Sequence, residues 1–210
     1  MRYSKEHKQE THARIVRKAS VRLREKGAHG VGVADLMKEA GLTHGGFYAH
    51  FDSRDGLLIE AIAYAMDRSI EHWRKLAQQI PPDGRLALIV ETYLTPVHRD
   101  DPGHGCAITA LGAEISRESP KTRKAFAGKV EQLIDLIADQ IPGLPRRAAR
   151  KQAAALLATM MGTLVLARIA GSGEFSDDIM QAGREVALGR AATLVAKKPA
   201  GKKTAVAPRH

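Results

Sequence analysis

The chain has 210 residues, 44% of them hydrophobic and 27% charged, which suits one or two domains and is enough to bury a core. Its formal net charge is +10, its N-terminus is polar where a secretion signal would be apolar, and no apolar run approaches the ~18 residues of a membrane span, so neither secretion nor a membrane partner is expected. The one cysteine, Cys106, cannot form an internal disulfide, which fits a reducing compartment such as the cytoplasm.

Apolar residues recur at helical spacing almost throughout. Ile15, Val16, Ala19 and Leu23 mark a helix over roughly 8–26, closed by Gly27. Leu36, Met37 and Ala40 mark a short second helix closed by Gly41. Thr43 is positioned to N-cap a third over about 44–50, and Ser53 to cap a fourth. That fourth helix carries Leu58, Ile62, Met66, Ile70, Trp73, Ala77 and Ile80 to a break at Pro81-Pro82. Asp83 is expected to cap the next helix and Pro96 to end it, followed by the polar stretch "VHRDDPGHG". Ala107 to Ile115 reads as another helix. Ser119 as N-cap with Pro120 at the first position starts the next one, with Phe126, Val130, Leu133, Ile134, Ile137 and Ile141 on its apolar face. After Pro142 and Pro145 a long helix is expected over 146–170, ended by Gly171. Ser176, with Asp177 and Asp178 behind it, is expected to start a last helix to about Ala196. No strand-period segment stands out, so the fold class is all-α. Residues 197–210 offer little to bury and read as a disordered basic tail.

The charge is uneven. Residues 1–56 hold 11 Lys and Arg against 7 Asp and Glu, residues 57–196 hold 17 against 16, and residues 197–210 hold 5 against none, giving +4, +1 and +5. Basic ends on a neutral body point to a polyanionic partner for the ends alone.

Helix two, the turn Gly41-Leu42-Thr43 and helix three fit a helix-turn-helix, with helix one supplying an apolar face for both. Such a unit puts its second helix into the DNA major groove. The stretch from Thr11 to about Ile62 resembles the DNA-binding domain of the TetR family of transcriptional regulators. The resemblance rests on Gly27, Ala40-Gly41, the run Thr43, Gly45, Phe47, Tyr48, His50 and Phe51, and Ser53, Arg54, Asp55 and Leu57. Two departures stand out. Gly46 replaces a side chain that could reach a base edge, and Gly32 stands where a hydroxyl residue often caps helix two. The resemblance implies a helix-turn-helix domain over 1–52 and a helical regulatory, ligand-binding and dimerisation domain over 53–196.

It also implies double-stranded DNA, a small-molecule effector and a second copy of the chain as partners, with no catalytic residues, cofactor or metal. The DNA-contacting set is then Thr43, His44, Gly45, Gly46, Phe47, Tyr48, His50 and Arg54. Thr43 caps and meets phosphate; His44 reads a base; Gly45 permits close approach; Tyr48 and His50 meet the backbone; Arg54 sits at a helix start that favours phosphate. Phe47 is better suited to the core than to base reading. In the second domain the large side chains Met66, Trp73, Tyr93 and Met160 could line a ligand pocket, although each such side chain is more often plain core. Small residues such as Ala153, Ala158 and Gly162 permit close helix approach, within the chain or between copies.

His98, Asp100, Asp101, His104 and Cys106 fall within nine residues. Their spacing matches no compact zinc pattern. Cys106 near a helix start and beside histidines could be a thiol that senses electrophiles, or a small buried residue on a structural turn. Two rival functions remain at this stage: a helical thiol or acid–base enzyme built on Cys106, His98 and His104, and a DNA-coating protein indifferent to sequence.

Overall fold

In the computed structural model of the chain residues 5–196 are described, and the basic tail, residues 197–210, lies outside them. Among the described residues there are α-helices, two 3-10 segments and no strand. In order they are α1 (Lys5–Lys26), α2 (Val33–Glu39), a 3-10 helix (His44–Ala49), α3 (Arg54–Gln78), a 3-10 turn (Pro82–Gly84), α4 (Arg85–Tyr93), α5 (Pro96–Asp100), α6 (Ala107–Ile115), α7 (Pro120–Ala138), α8 (Arg146–Ala170) and α9 (Glu174–Ala196).

The N-terminal unit follows from its apolar spacing. Ile15, Val16, Ala19 and Leu23 of α1 are buried against Leu36, Met37, Phe47 and Phe51. Gly27 ends α1 with φ +87°, the left-handed region that favours glycine. A Cβ at Gly27 would also lie 2.9 Å from a carboxylate oxygen of Glu114 on α6, which that flexible side chain would have to move to relieve. Gly41, at φ +75°, turns the chain out of α2, and the N–H of Leu42 donates to the Met37 carbonyl at 2.9 Å. The third helix is 3-10, not α. Its sequence places Gly45-Gly46, residues of low helix propensity, in its first turn, and the Thr43 side chain makes no capping bond there.

The cap of α3 is formed as its sequence indicates: the Ser53 hydroxyl accepts from the Gly56 N–H at 3.0 Å. Leu58, Ile62, Met66, Ile70, Trp73 and Ala77 form its buried stripe. α3 packs against both α1 and α7, and the buried residues of the whole chain form one continuous cluster. The helix is therefore a shared beam beneath the helix-turn-helix and the bundle.

Three boundaries differ from the sequence reading. Pro96 does not end a helix. α4 stops at Tyr93, and Pro96 opens α5, where its missing N–H costs nothing and Thr95 caps by accepting from the His98 N–H at 3.1 Å. Asp83 lies inside the 3-10 turn, and Gly84 occupies the α4 cap position. Ser176 lies within α9, which starts at Glu174. Its buried hydroxyl donates to the Ala167 carbonyl at 2.8 Å and accepts from Arg99 at 3.1 Å, so tertiary contacts use the group that would otherwise cap.

A fourth difference concerns α8. It contains an 18-residue stretch of mean hydropathy 1.8, enough by length and composition to cross a membrane, contrary to the sequence expectation. Only 39% of that stretch is buried within the protein. Ala153, Leu156, Leu157, Met160 and Leu164 face the core, while Leu166 and Ile169 face outward.

Candidate functional site

The short 3-10 helix displays Thr43, His44, Gly45 and Tyr48 to solvent, Tyr48 with 71% exposure. Phe47 does not join them. It is buried, stacked on Phe51 at 5.4 Å, and holds the segment to the core, so it is not a base-reading residue. A Cβ at Gly45 would meet nothing within 4 Å, and one at Gly46 would make only ordinary contact with Met37 and Thr43. Neither glycine is thus required by packing within the chain. Together they leave a bare face through which a flat or grooved partner can come close to the backbone.

Two expected phosphate contacts are held from behind. Arg54 donates through Nη2 to the Ala28 carbonyl, which ties the start of α3 to the loop after α1. His50 is half-buried, 6.0 Å from the ring of His12, and its Nδ1 has no partner. Burial first, then the proximity of His12 and Lys8, hold its pKa below the ordinary 6.5. At neutral pH His50 is therefore a neutral hydrogen-bonding group and not a cation. His12 is itself fixed by Glu60 at 2.6 Å and by stacking on Phe51 at 4.5 Å.

In the bundle, α3, α4, α5, α7 and the loop before α6 enclose a cavity of about 290 Å³. Met66, Trp73, Tyr93 and Cys106 line it, as their size and placement suggest. Met160 does not: it is fully buried among α8 contacts. Sequence reasoning also passes over Leu133, Val97, Thr92 and His98, which reach the same space from other elements. Tyr93 meets Trp73 and His98 edge-on, at centroid distances of 5.8 and 4.6 Å. Its hydroxyl shares a 2.6 Å hydrogen bond with Thr109, and burial raises its pKa well above the ordinary 10.

His98 is the pivot of the cavity wall. Its Nδ1–H donates to the Tyr93 carbonyl at 2.7 Å, and its Nε2 accepts from the Cys106 N–H at 2.8 Å. These two bonds set the tautomer. Burial, aided by Arg168 and Arg24, keeps the pKa below 6.5, so the ring is neutral. One residue earlier in the loop, a Cβ at Gly105 would lie 2.6 Å from the His98 ring, so the backbone can pass only as glycine. The Gly105 carbonyl turns the other way. It accepts a 2.6 Å hydrogen bond from the buried guanidinium of Arg24 on α1. A second tie runs alongside: Glu114 on α6 accepts from the Ala28 N–H at 2.7 Å. The loop that walls the cavity thus also anchors the first helix of the helix-turn-helix unit.

The histidines, acids and thiol of this loop do not converge as ligands. Among the described residues no group of three or more His, Cys, Asp or Glu side chains could hold a metal ion. His98 spends both nitrogens on backbone groups, and His104 pairs with Asp101 at 2.9 Å.

The chain matches two family descriptions: residues 15–61 match the bacterial regulatory proteins of the tetR family, and residues 82–182 match the C-terminal domain of transcriptional regulators like LmrA/YxaF. It is 29% identical over 167 residues to the uncharacterized HTH-type transcriptional regulators MT0206 and Rv0196 of Mycobacterium tuberculosis, covering 74% of this chain and 83% of each of them. In fold it is similar to a TetR transcriptional regulator from Chloroflexus aurantiacus, with a TM-score of 0.72 and 23% identity over 92% of this chain and 98% of that one. It is also similar to reduced NemR of E. coli, with a TM-score of 0.71 and 19% identity over 84% of this chain and 96% of that one. From both matched regions and from the fold they share with solved regulators, this chain belongs to the TetR family and is an HTH-type DNA-binding transcriptional regulator, not an enzyme.

Proposed function

We propose that the protein is a cytoplasmic homodimeric repressor that holds a palindromic operator and releases it when a small molecule enters the bundle cavity. TetR-family regulators bind DNA and small-molecule effectors and act as dimers. The observation that carries the effector step is the double use of one loop. Cys106 and His98 face the cavity, while the adjacent Gly105 carbonyl holds Arg24 of α1. A molecule that displaces the His98–Cys106 segment pulls on α1. The helix-turn-helix unit then changes its setting relative to α3, and with it the separation of the two DNA-reading segments in the dimer. Binding in successive major grooves needs a separation of about 34–36 Å, so a change of a few ångström costs affinity.

The sole tryptophan, Trp73, lines the cavity and reports its occupation directly. The test is to titrate the DNA-bound protein with small apolar molecules, following Trp73 fluorescence for binding and DNA anisotropy for release. Molecules that perturb Trp73 are expected to free the DNA. If they fill the cavity and leave DNA affinity unchanged, the cavity is not the effector site.

A second reading is supported by the place of Cys106 on the cavity wall: a thiol-reactive electrophile that enters meets its sulfur. Release by such a reagent that disappears in Cys106→Ser supports this reading. Equal release of both proteins refutes it and leaves Cys106 a structural residue.

A further inference from the structure

The apolar cavity does not end at His72 and His104. Those two side chains and Ser69 also line a second, larger cleft of about 720 Å³ between α1 and α3. Its walls carry Arg17, Lys18, Arg22, Arg24 and Arg68 against a single acid, Glu39. That acid is already taken, since Arg22 binds it at 3.0 Å and Glu25 at 2.8 Å. Arg24 is 9% exposed and donates only to the carbonyls of Ser20 and Gly105. Among the described residues no carboxylate forms an ion pair with Arg17, Lys18, Arg24 or Arg68. Arg17, Lys18 and Arg68 are exposed and solvated, so the cleft is an open basic surface, and the buried Arg24, which has no direct ion pair, adds a fourth cation that an anion in the cleft would meet.

DNA is poorly placed to be that anion. Arg68 lies fourteen residues along α3 from Arg54, about 21 Å at 1.5 Å per residue. Along α1, His12 packs beside His50 under the DNA-facing segment, whereas Arg24 reaches the cavity loop. Ser69, His72 and His104 join the cleft to the bundle cavity at this end, where Arg24 and Arg68 lie away from the proposed DNA-reading segment.

We propose that the effector is an amphiphile carrying a phosphate group, its apolar body in the cavity beside Trp73 and Tyr93 and its phosphate in the cleft against Arg17, Lys18, Arg24 and Arg68. The inference rests on the reading of the cavity as the effector site and adds the chemistry of the ligand's head. The four cations favour a multiply charged group over a single carboxylate, and guanidinium forks suit phosphate oxygens. Such a molecule bridges α1 and α3 while touching the loop that joins Arg24 to Cys106. It therefore acts on both helices that position the DNA-reading segment.

Trp73 fluorescence of the full-length protein, titrated at fixed ionic strength with octyl phosphate, 1-octanol and inorganic phosphate, tests this. Octyl phosphate is expected to bind at least tenfold tighter than octanol. The double variant Arg17→Gln/Arg68→Gln changes two exposed side chains, and unchanged helical content by circular dichroism confirms its fold. It is expected to abolish that preference while leaving octanol binding and ligand-free DNA affinity as in wild type. Equal binding of octyl phosphate and octanol would overturn the phosphate subsite and leave the cavity reading standing. If neither alkyl compound perturbs Trp73, both fail. A double variant that keeps the preference, or that loses DNA affinity without ligand, would likewise overturn the proposal, the latter by assigning the cleft to DNA.

Discussion

At the scale of single residues, the proposed DNA-reading face is sparse. Phe47 is committed to the core and both glycines are bare, so Tyr48 and His44 remain as the exposed side chains with reach. Tyr48→Ala is expected to cost about 1 kcal/mol on preferred and random duplexes alike, the worth of one backbone hydrogen bond. His44→Ala is expected to lower discrimination by about 1–3 kcal/mol at one base pair. Binding curves on preferred and scrambled DNA separate the two effects. Wild-type behaviour of both variants would refute the assignment of this segment.

His98 gives a residue-scale prediction in pH. Its folded pKa lies below the unfolded 6.5, so its contribution to stability is fully present above 6.5 and is lost as pH falls through the folded value. Arg168 and Arg24 oppose its protonation, Asp101 and the Tyr93 carbonyl favour it, and burial outweighs them all. Protonation would also set a proton against the Cys106 N–H. His50 is shifted the same way and adds to the trend. Urea unfolding from pH 7 down toward about 5 is expected to show falling stability, by at most about 1.4 kcal/mol per pH unit for each proton taken up. In His98→Gln this slope should shrink, and an unchanged slope would show that His98 is not the group involved.

At the scale of elements, sequence punctuation and tertiary demand divide the outcome. α6 and α8 have the expected limits because Cys106, Pro145 and Gly171 bound them locally. Ser119-Pro120 starts α7 for the same reason. Ser176 misleads because Ala167 and Arg99, distant in sequence, claim its hydroxyl. The candidate site was legible to a similar degree. Met66, Trp73 and Tyr93 announce themselves by size and Cys106 by its helix start, but nothing local tells Met160, which is core, from a lining residue. His98 and Leu133 reach the cavity through the packing of α5 and α7, which periodicity does not encode.

The tie between α1 and the cavity loop is likewise a long-range contact, across 81 residues. Arg24→Met keeps the apolar stem and removes the donor to Gly105. It is expected to cost about 1–3 kcal/mol in stability, for the carbonyls left unpaired. DNA binding should persist while its response to a cavity ligand weakens severalfold. Full response in Arg24→Met would place the coupling elsewhere.

At the scale of the molecule, the exposed apolar residues are concentrated on α8 and α9. Val165, Leu166 and Ile169 on α8 and Phe175 and Val186 on α9 are large and open to solvent, with 77% exposure at Ile169. This surface also explains why α8 is apolar enough for a membrane span while little of it is buried within one chain. A second copy docked on α8 and α9 would cover it. The paired variant Leu166→Glu/Ile169→Glu is expected to sediment as a folded monomer and to lose tight operator binding, because one helix-turn-helix reaches one half-site. A dimer that survives both charges would exclude this face as the interface.

The central claim, that this chain is a dimeric reader of an inverted repeat through residues 43–50, is tested most directly by selection of bound duplexes from a random-sequence DNA pool with the full-length protein. The account predicts enrichment of a palindrome with half-site centres about one helical turn, ~34–36 Å, apart, bound by two protomers and not enriched by Tyr48→Ala/His44→Ala. Retention of the pool without any enriched sequence, or equal enrichment by the double variant, would contradict it.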